Sequence, residues 1–220
     1  HSLRLLISGG DIFNTSYISN YIGKLTIYDG YGPTECTVCS TFLNIENEYL
    51  HANIGRPINN KNIYILSHHN QLQPVGVIGE ICIGGAGLAR GYLNNPSLTK
   101  EKFIPHPFKQ NERLYTTGDL GKWLPDGAIE FIGRKDTQVK IRGYRIELGE
   151  IETALQNYPN VDAAVVIAKS NIQGEKELIA YMVSKQPLNV ANVRAHLSQT
   201  LPIYMLPHYV VQLDVLPLTP

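Results

Sequence analysis

The segment Tyr31-Gly32-Pro33-Thr34-Glu35 puts an aromatic ring, a hydroxyl and a carboxylate within five residues, on a loop tightened by glycine and proline. A threonine hydroxyl can bond a phosphate oxygen, a carboxylate can hold Mg²⁺ against one, and Tyr31 can stack on a base. The same residues also suit a helix start, with Thr34 as cap and Glu35 favourable to the dipole. A second segment, Tyr115-Thr116-Thr117-Gly118-Asp119, ends in a carboxylate after a glycine at a predicted strand end. Such a carboxylate can accept hydrogen bonds from two vicinal hydroxyls, as an acid does on ribose in the dinucleotide-binding fold; an aspartate turn is the alternative. A third, GGAGLARGY from Gly84 to Tyr92, has four glycines but lacks the Lys-Ser/Thr of a Walker loop, and predicts a close-packed β turn. A fourth, GRKDTQVKIRGYR at 133–145, alternates like a strand yet carries five cations and one acid. A buried strand cannot hold them, so this is a solvated surface or one that meets anions.

The 220 residues suffice for one large or two modest domains, and at 43% hydrophobic they predict a packed core. Net charge is zero, so no basic excess asks for nucleic acid or an anionic membrane. No apolar run is long enough to span a bilayer, and the start lacks a signal-peptide pattern. The chain opens HSLRLL without methionine and reads as part of something longer. Three cysteines are too few for a disulfide framework. Cys36 and Cys39 form a C-x-x-C with no second pair, which fits small buried residues better than redox or zinc chemistry. The pattern is that of a reduced, cytoplasmic protein.

These residues need elements to position them. LRLLISGG predicts a buried parallel strand and tight turn, IFNTSYISNYIGKL a helix with Ile18, Tyr21, Ile22 and Leu25 on one face, and TIYDGYGPTE a strand running into a loop. That is a βαβ unit, whose ligands favour the carboxyl ends of the strands. From about residue 54 to 133, short runs (NIYIL, GEICIGG, LARGYL, KWL, AIEFIG) predict a small β subdomain, with a hairpin turn at Pro125-Asp126-Gly127. Beyond residue 136, Leu148, Ile151 and Leu155 line one helix, Val190, Val193, Leu197 and Leu201 line another stopped by Pro202, and DAAVVIA, ELIAYMVS and HYVVQL are strands. The fold class is mixed α/β and α+β. Residues 1–135 end a larger core, 136–220 form a small mobile α+β subdomain, and the cationic stretch spans the junction.

In their order and spacing, YGPTE, GEICIGGAGLARGYLNNPSLTKEKF, RLYTTGDLGKWLPDGAIEFIGRKDTQVKIRGYRIELGEIE and LPIYMLPHYVVQLDVLPLT resemble the C-terminal portion of a nonribosomal peptide synthetase adenylation domain, a branch of the adenylate-forming superfamily. The resemblance covers nearly the whole chain. It implies formation of an aminoacyl-adenylate from an amino acid and MgATP, then transfer to the phosphopantetheine thiol of a carrier domain. By motif, Tyr31 stacks on adenine with Phe131 near its other face, Thr34 bonds the α-phosphate, Glu35 holds Mg²⁺, Asp119 takes the ribose hydroxyls and Arg134 lies near the ribose. Gly9, Gly10 and Gly32 let backbone approach the ligand. Asp29 stands where the family often has an asparagine on the adenine amino group, beside Gly30. Asp136 matches the family's hinge. Lys140 and the Gly143-Tyr144 loop face the thioester half-reaction.

The positions matching the family's substrate pocket are Ile7, Gly9, Gly30, Val38 and Cys39. None is charged, which implies a neutral, apolar or aromatic amino acid. The family's phosphate loop is expected upstream of residue 1 and its adenylating lysine beyond Pro220, so these residues alone are expected to be nearly inactive. Two other readings stand beside this one: an acyl-CoA ligase-type enzyme, and a non-catalytic remnant that keeps the fold for interaction.

Overall fold

The computed structural model describes residues 3–11, 15–46, 53–172 and 175–217. The chain divides into two compact units, residues 1–136 and 137–220.

The N-terminal unit opens with β1 (Leu5–Gly9) parallel to β2 (Thr26–Tyr31), Gly9 opposite Gly30; β1 is not the buried strand expected, because it ends the strand order among the described residues and Leu5 and Ile7 are exposed. The connection differs from the expected α-helix: Thr15–Tyr21 winds as a 3-10 helix. Its Thr, Ser, Asn and β-branched residues are poor helix formers. Ile18 is buried with Ile22 and Leu25 against it, but Tyr21 points out; residues 12–14 of that expectation lie outside the described residues. β3 (Thr41–Asn44) and β4 (Arg56–Pro57) complete an antiparallel extension of this sheet.

Five strands then form a second sheet. β5 (Lys61–Leu66), β6 (Gly79–Gly85), β7 (Phe103–Pro105, after the short helix α1, Pro96–Lys102), β8 (Arg113–Trp123) and β9 (Ile129–Arg134) are all antiparallel to their neighbours. LARGYL is not a strand: its backbone bonds to the 31–40 loop and to α1 instead of to a sheet edge. The KWL run is the end of β8, and Pro125-Asp126-Gly127 turns β8 into β9 with Gly127 at φ +83°. β8 pairs with β6 along one edge, while its other edge is taken first by β7 and then by β9. At the changeover, the β6 register jumps from Cys82↔Thr116 to Glu80↔Leu120. Thr117, Gly118 and Asp119 are the bulge this leaves. Tyr31, Ile63, Ile65, Ile81, Ile83, Phe103, Tyr115 and Ile129 pack this core.

The C-terminal unit begins with the hairpin of β10 (Gln138–Ile141) and β11 (Tyr144–Glu147), turned by Arg142 and Gly143 at φ +53° and +79°. Helix α2 (Leu148–Gln156) follows, then β12 (Ala163–Ser170) antiparallel to β13 (Lys176–Val183), helix α3 (Val190–Leu197) and β14 (Tyr209–Leu213) parallel to β13. The Asn189 side chain starts α3 by accepting the Ala191 and Asn192 amides at 3.0 and 3.2 Å. Leu148, Ile151, Leu155, Val193, Leu197 and Leu201 bury their stripes against Ala164, Val166, Leu178, Ala180 and Met182. Among the described residues, no helix is long and apolar enough to cross a membrane.

Leu155 is fully buried in this second core. Leu155→Ala is expected to destabilise the C-terminal unit by about 2–5 kcal/mol, read by urea unfolding; a loss below about 1 kcal/mol would mean the helix does not anchor that core.

Candidate functional site

Three strands of the N-terminal unit bring their side chains to one point. Tyr31 closes β2, Asp119 sits in the β8 bulge, and Arg134 ends β9, directly opposite Asp119 in the ladder. The Tyr31 hydroxyl donates to Asp119 Oδ2 at 2.6 Å, and Arg134 Nη1 donates to Oδ1 at 2.6 Å. Arg134 also forks onto Asp136, Nε to Oδ1 and Nη2 to Oδ2, each at 2.6 Å. Next to it Lys135 Nζ meets Glu80 Oε2 at 2.6 Å, and Glu80 Oε1 accepts the Gly118 amide at 2.9 Å. Asp119 is therefore not at a strand end, where the sequence puts it, but inside a strand that bulges around it.

Gly118 makes the bulge possible. Its φ is +76°, and a Cβ there would lie 2.6 Å from Arg134 Nη2 and 2.7 Å from Asp136 Oδ2. A side chain there would force the ends of Arg134 and Asp136 to shift, and the positive φ itself favours glycine. Asp119 is only 5% exposed. Such a buried carboxylate is costly unless its hydrogen bonds are met, and Tyr31 and Arg134 meet them. Burial first, and the Asp119 carboxylate second, push the Tyr31 phenol well above its usual range. Tyr31 thus holds its proton more tightly folded than unfolded. Its contribution to stability is full below about pH 10 and falls away as pH rises through the folded value. The Tyr31 and Phe131 rings are 6.3 Å apart and tilted by 48°.

Thr34 and Glu35 lie on the loop that follows. The short 3-10 turn Thr34–Cys36 has Pro33, not Thr34, in the cap position, with no side-chain cap bond. The capping alternative therefore falls away. Thr34 is exposed, whereas Glu35 is buried and takes the Tyr92 hydroxyl on Oε1 at 2.6 Å. The loop closes through the Ser40 amide on the Tyr31 carbonyl at 2.7 Å. Thr37 and Val38 both sit at positive φ, +60° and +66°. For β-branched residues that conformation is strained, and Thr37 is tied down by its hydroxyl on the Gly87 carbonyl at 2.8 Å.

Two of the glycines expected to let backbone approach a ligand are closely packed on the chain's own backbone. A Cβ on Gly9 would strike the Gly30 carbonyl at 2.6 Å, and one on Gly32 the Val38 carbonyl at 2.5 Å. Both glycines serve the chain's own packing. Gly10 stands in an open turn at φ +96°. Of the pocket residues, Gly9 and Gly30 are cross-strand neighbours and Cys39 Sγ lies 3.0 Å from where a Gly30 Cβ would be, while Ile7 and Val38 are exposed. Asp29 lies one residue before Gly30 on β2, paired with Ser8. Burial raises the Cys36 thiol to about 12 and raises Cys39 too. Neither is a thiolate at neutral pH, so the C-x-x-C is not poised for redox or metal chemistry. Lys140 lies in the other unit, on β10 opposite Arg145. Sequence reading missed Tyr92 and Glu80, since nothing in their spacing announces a partner 57 or 38 residues away.

A buried carboxylate, an arginine beside it and an acidic loop thus come together within one β-rich unit. The AMP-binding enzyme family matches residues 1–93, and the AMP-binding enzyme C-terminal domain matches residues 150–220. The chain belongs to this adenylate-forming family, as part of an adenylation domain of the nonribosomal peptide synthetase type. Gramicidin S synthase 2 of Brevibacillus brevis is 50% identical across 99% of this chain, which spans 5% of that protein. The solved structure of holo-PA1221, a nonribosomal peptide synthetase protein with adenylation and PCP domains, matches 99% of this chain and 38% of its own at 30% identity and a TM-score of 0.83. AlmE of Vibrio cholerae, an adenylation domain solved with glycyl-adenosine-5'-phosphate, matches 98% of this chain and 42% of its own at 25% identity and a TM-score of 0.86.

Two substitutions separate the anchor from its periphery. Arg134→Met leaves Asp119 buried with one donor fewer and is expected to cost about 3 kcal/mol. Asp136→Ala removes a carboxylate that is 37% exposed and is expected to cost under about 1 kcal/mol. Equal losses in urea unfolding would mean the Asp119–Arg134 pair is not the anchor.

Proposed function

We propose that this protein activates an amino acid and loads it onto a carrier in nonribosomal peptide synthesis. An oxygen of the substrate carboxylate bonds to the α-phosphorus of ATP as the α–β anhydride breaks, and pyrophosphate leaves. A phosphopantetheine thiol of a peptidyl carrier domain then loses its proton and attacks the acyl carbon, forming the thioester and releasing AMP.

The observation that carries this reading is the convergence of Tyr31, Asp119 and Arg134 from three strands. Asp119 accepts the ribose hydroxyls, an ionised carboxylate having about four lone-pair positions. Arg134 lies beside that ribose, Tyr31 and Phe131 flank the adenine, and Asp29 accepts from its amino group. The exposed Thr34 hydroxyl donates to the α-phosphate. Glu35 fits a Mg²⁺ site, because this ion takes one or two carboxylates together with substrate phosphates and waters, and Tyr92 already orients the Glu35 carboxylate. When bound, the ion neutralises charge on the phosphates, so that two anions can approach.

The uncharged set Ile7, Gly9, Gly30, Val38 and Cys39 favours a neutral apolar or aromatic amino acid. Asp136 is the hinge about which residues 137–220 change pose between the half-reactions, bringing Lys140 and the Arg142-Gly143 turn into the second. Three free thiols among the described residues agree with a cytoplasmic setting. The identity to gramicidin S synthase 2 and the PCP domain of PA1221 support a carrier as partner over free CoA.

At its full natural length, the protein is expected to exchange pyrophosphate into ATP only when an amino acid is present, faster with apolar or aromatic than with charged ones. Asp119→Ala should lower kcat/KM about 100-fold. Asp136→Pro should retain exchange and lose carrier loading. Acylation of free CoA in place of the carrier would contradict the proposal, as would undiminished carrier loading by Asp136→Pro.

A further inference from the structure

The GGAGLARGY segment has work that a packed turn does not require. After β6 it runs back along the loop that holds Glu35. The Ala89 amide donates to the Glu35 carbonyl at 2.8 Å, and the Gly87 carbonyl takes the Thr37 hydroxyl. At its end the Tyr92 hydroxyl donates to Glu35 Oε1 at 2.6 Å and lies 3.3 Å from the Tyr115 hydroxyl.

Tyr92 is itself fixed on several sides. Its amide bonds to Thr99 Oγ1 at 2.8 Å on α1, and its ring meets Phe103 edge-on at 5.8 Å. The Arg113 guanidinium covers Phe103 at 5.3 Å and donates to the Ala89 and Arg90 carbonyls at 3.0 Å each. Arg113, the turn, Tyr92 and Glu35 form one connected set. A glutamate has three rotatable side-chain bonds, and its terminal torsion is broad. A short charge-assisted bond from a phenol that cannot move confines that torsion.

We propose that Tyr92 is a positioning residue for Glu35, its hydroxyl setting the orientation in which the Glu35 carboxylate meets the divalent cation of MgATP. This rests on the metal-holding role of Glu35 proposed above. Partners that orient a metal's carboxylate are typically worth roughly 10- to 100-fold in affinity. Tyr92→Phe removes the hydroxyl and keeps the ring on Phe103.

The test is calorimetric titration of the full-length protein with ATP at a series of Mg²⁺ concentrations. In Tyr92→Phe the apparent Mg²⁺ constant should rise about 10-fold, with ATP binding in the absence of Mg²⁺ unchanged. Glu35→Gln should raise it at least as much. The double variant should be no worse than Glu35→Gln alone, because Tyr92 acts through that carboxylate. Stoichiometry reads the folded fraction, so a partly unfolded variant still yields an affinity. An unchanged Mg²⁺ constant in Tyr92→Phe beside a raised one in Glu35→Gln would overturn the proposal, as would additive effects in the double variant. An unchanged constant in Glu35→Gln would overturn the metal role of Glu35, and the role of Tyr92 with it.

Discussion

A single buried carboxylate organises the N-terminal unit. Asp119 is held from both sides, by the Tyr31 hydroxyl and the Arg134 guanidinium, and neither donor reaches it without the strand geometry around it. β8 bulges to turn Asp119 toward them, and Gly118 suits the bulge through its positive φ and its lack of a side chain beside Arg134 and Asp136. Breaking this pair would leave a buried charge without its arginine, which the fold tolerates badly. A strong local constraint thus ties the ends of β2 and β9 to the middle of β8.

The same logic extends outward from that carboxylate. β2 carries Tyr31 into the 31–40 loop, and that loop is pinned to the turn after β6 by bonds at Glu35 and Thr37. The Lys61 ammonium adds a bond to the Cys36 carbonyl. Two consecutive β-branched residues at positive φ are held here by these contacts, so the loop has little freedom left when a ligand arrives. Preorganisation of this kind stabilises charge in a reaction without reorganisation at the moment it develops. On the far side, Arg134, Lys135 and Asp136 are three successive residues whose charges are committed to partners in the same unit. Most of the cationic stretch that looks anomalous as a strand is explained by this: its first part is a clasp on β6 and β8, and its second is a hairpin that buries Gln138 and Ile141 and exposes Arg142, Tyr144 and Arg145.

Much of this was legible in the sequence, because it is local. The α2 stripe, the α3 stripe apart from Val190, which is exposed, the Pro125-Asp126-Gly127 turn and the short strands other than LARGYL follow from periodicity and turn chemistry. Tyr31, Glu35, Asp119 and Arg134 could be named from their motifs, and the structure brings Tyr31, Asp119 and Arg134 together. What was not legible is non-local. The bulge at Asp119 depends on how β6 meets β8, and a strand-end reading was the natural mistake. The 3-10 turn at Thr15–Tyr21 replaced a helix because weak formers left the choice to packing. The packing of Gly9 against the Gly30 carbonyl and of Gly32 against the Val38 carbonyl is likewise set by neighbouring backbone that no local pattern shows. The bond from Tyr92 to Glu35 crosses 57 residues, and no spacing rule reaches that far.

The most direct test of the account is whether Asp119 reads a ribose diol. Calorimetry on the full-length protein would compare ATP with 2′,3′-dideoxy-ATP, for the unaltered protein and for Asp119→Ala. Hydrogen bonds to a charged acceptor are worth about 1.5–3 kcal/mol each, so the unaltered protein should bind ATP roughly 100-fold more tightly than the dideoxy analogue. Asp119→Ala should bind both alike. Equal affinity of the unaltered protein for the two nucleotides would contradict the account, and would leave Asp119 as a purely structural anchor of its sheet.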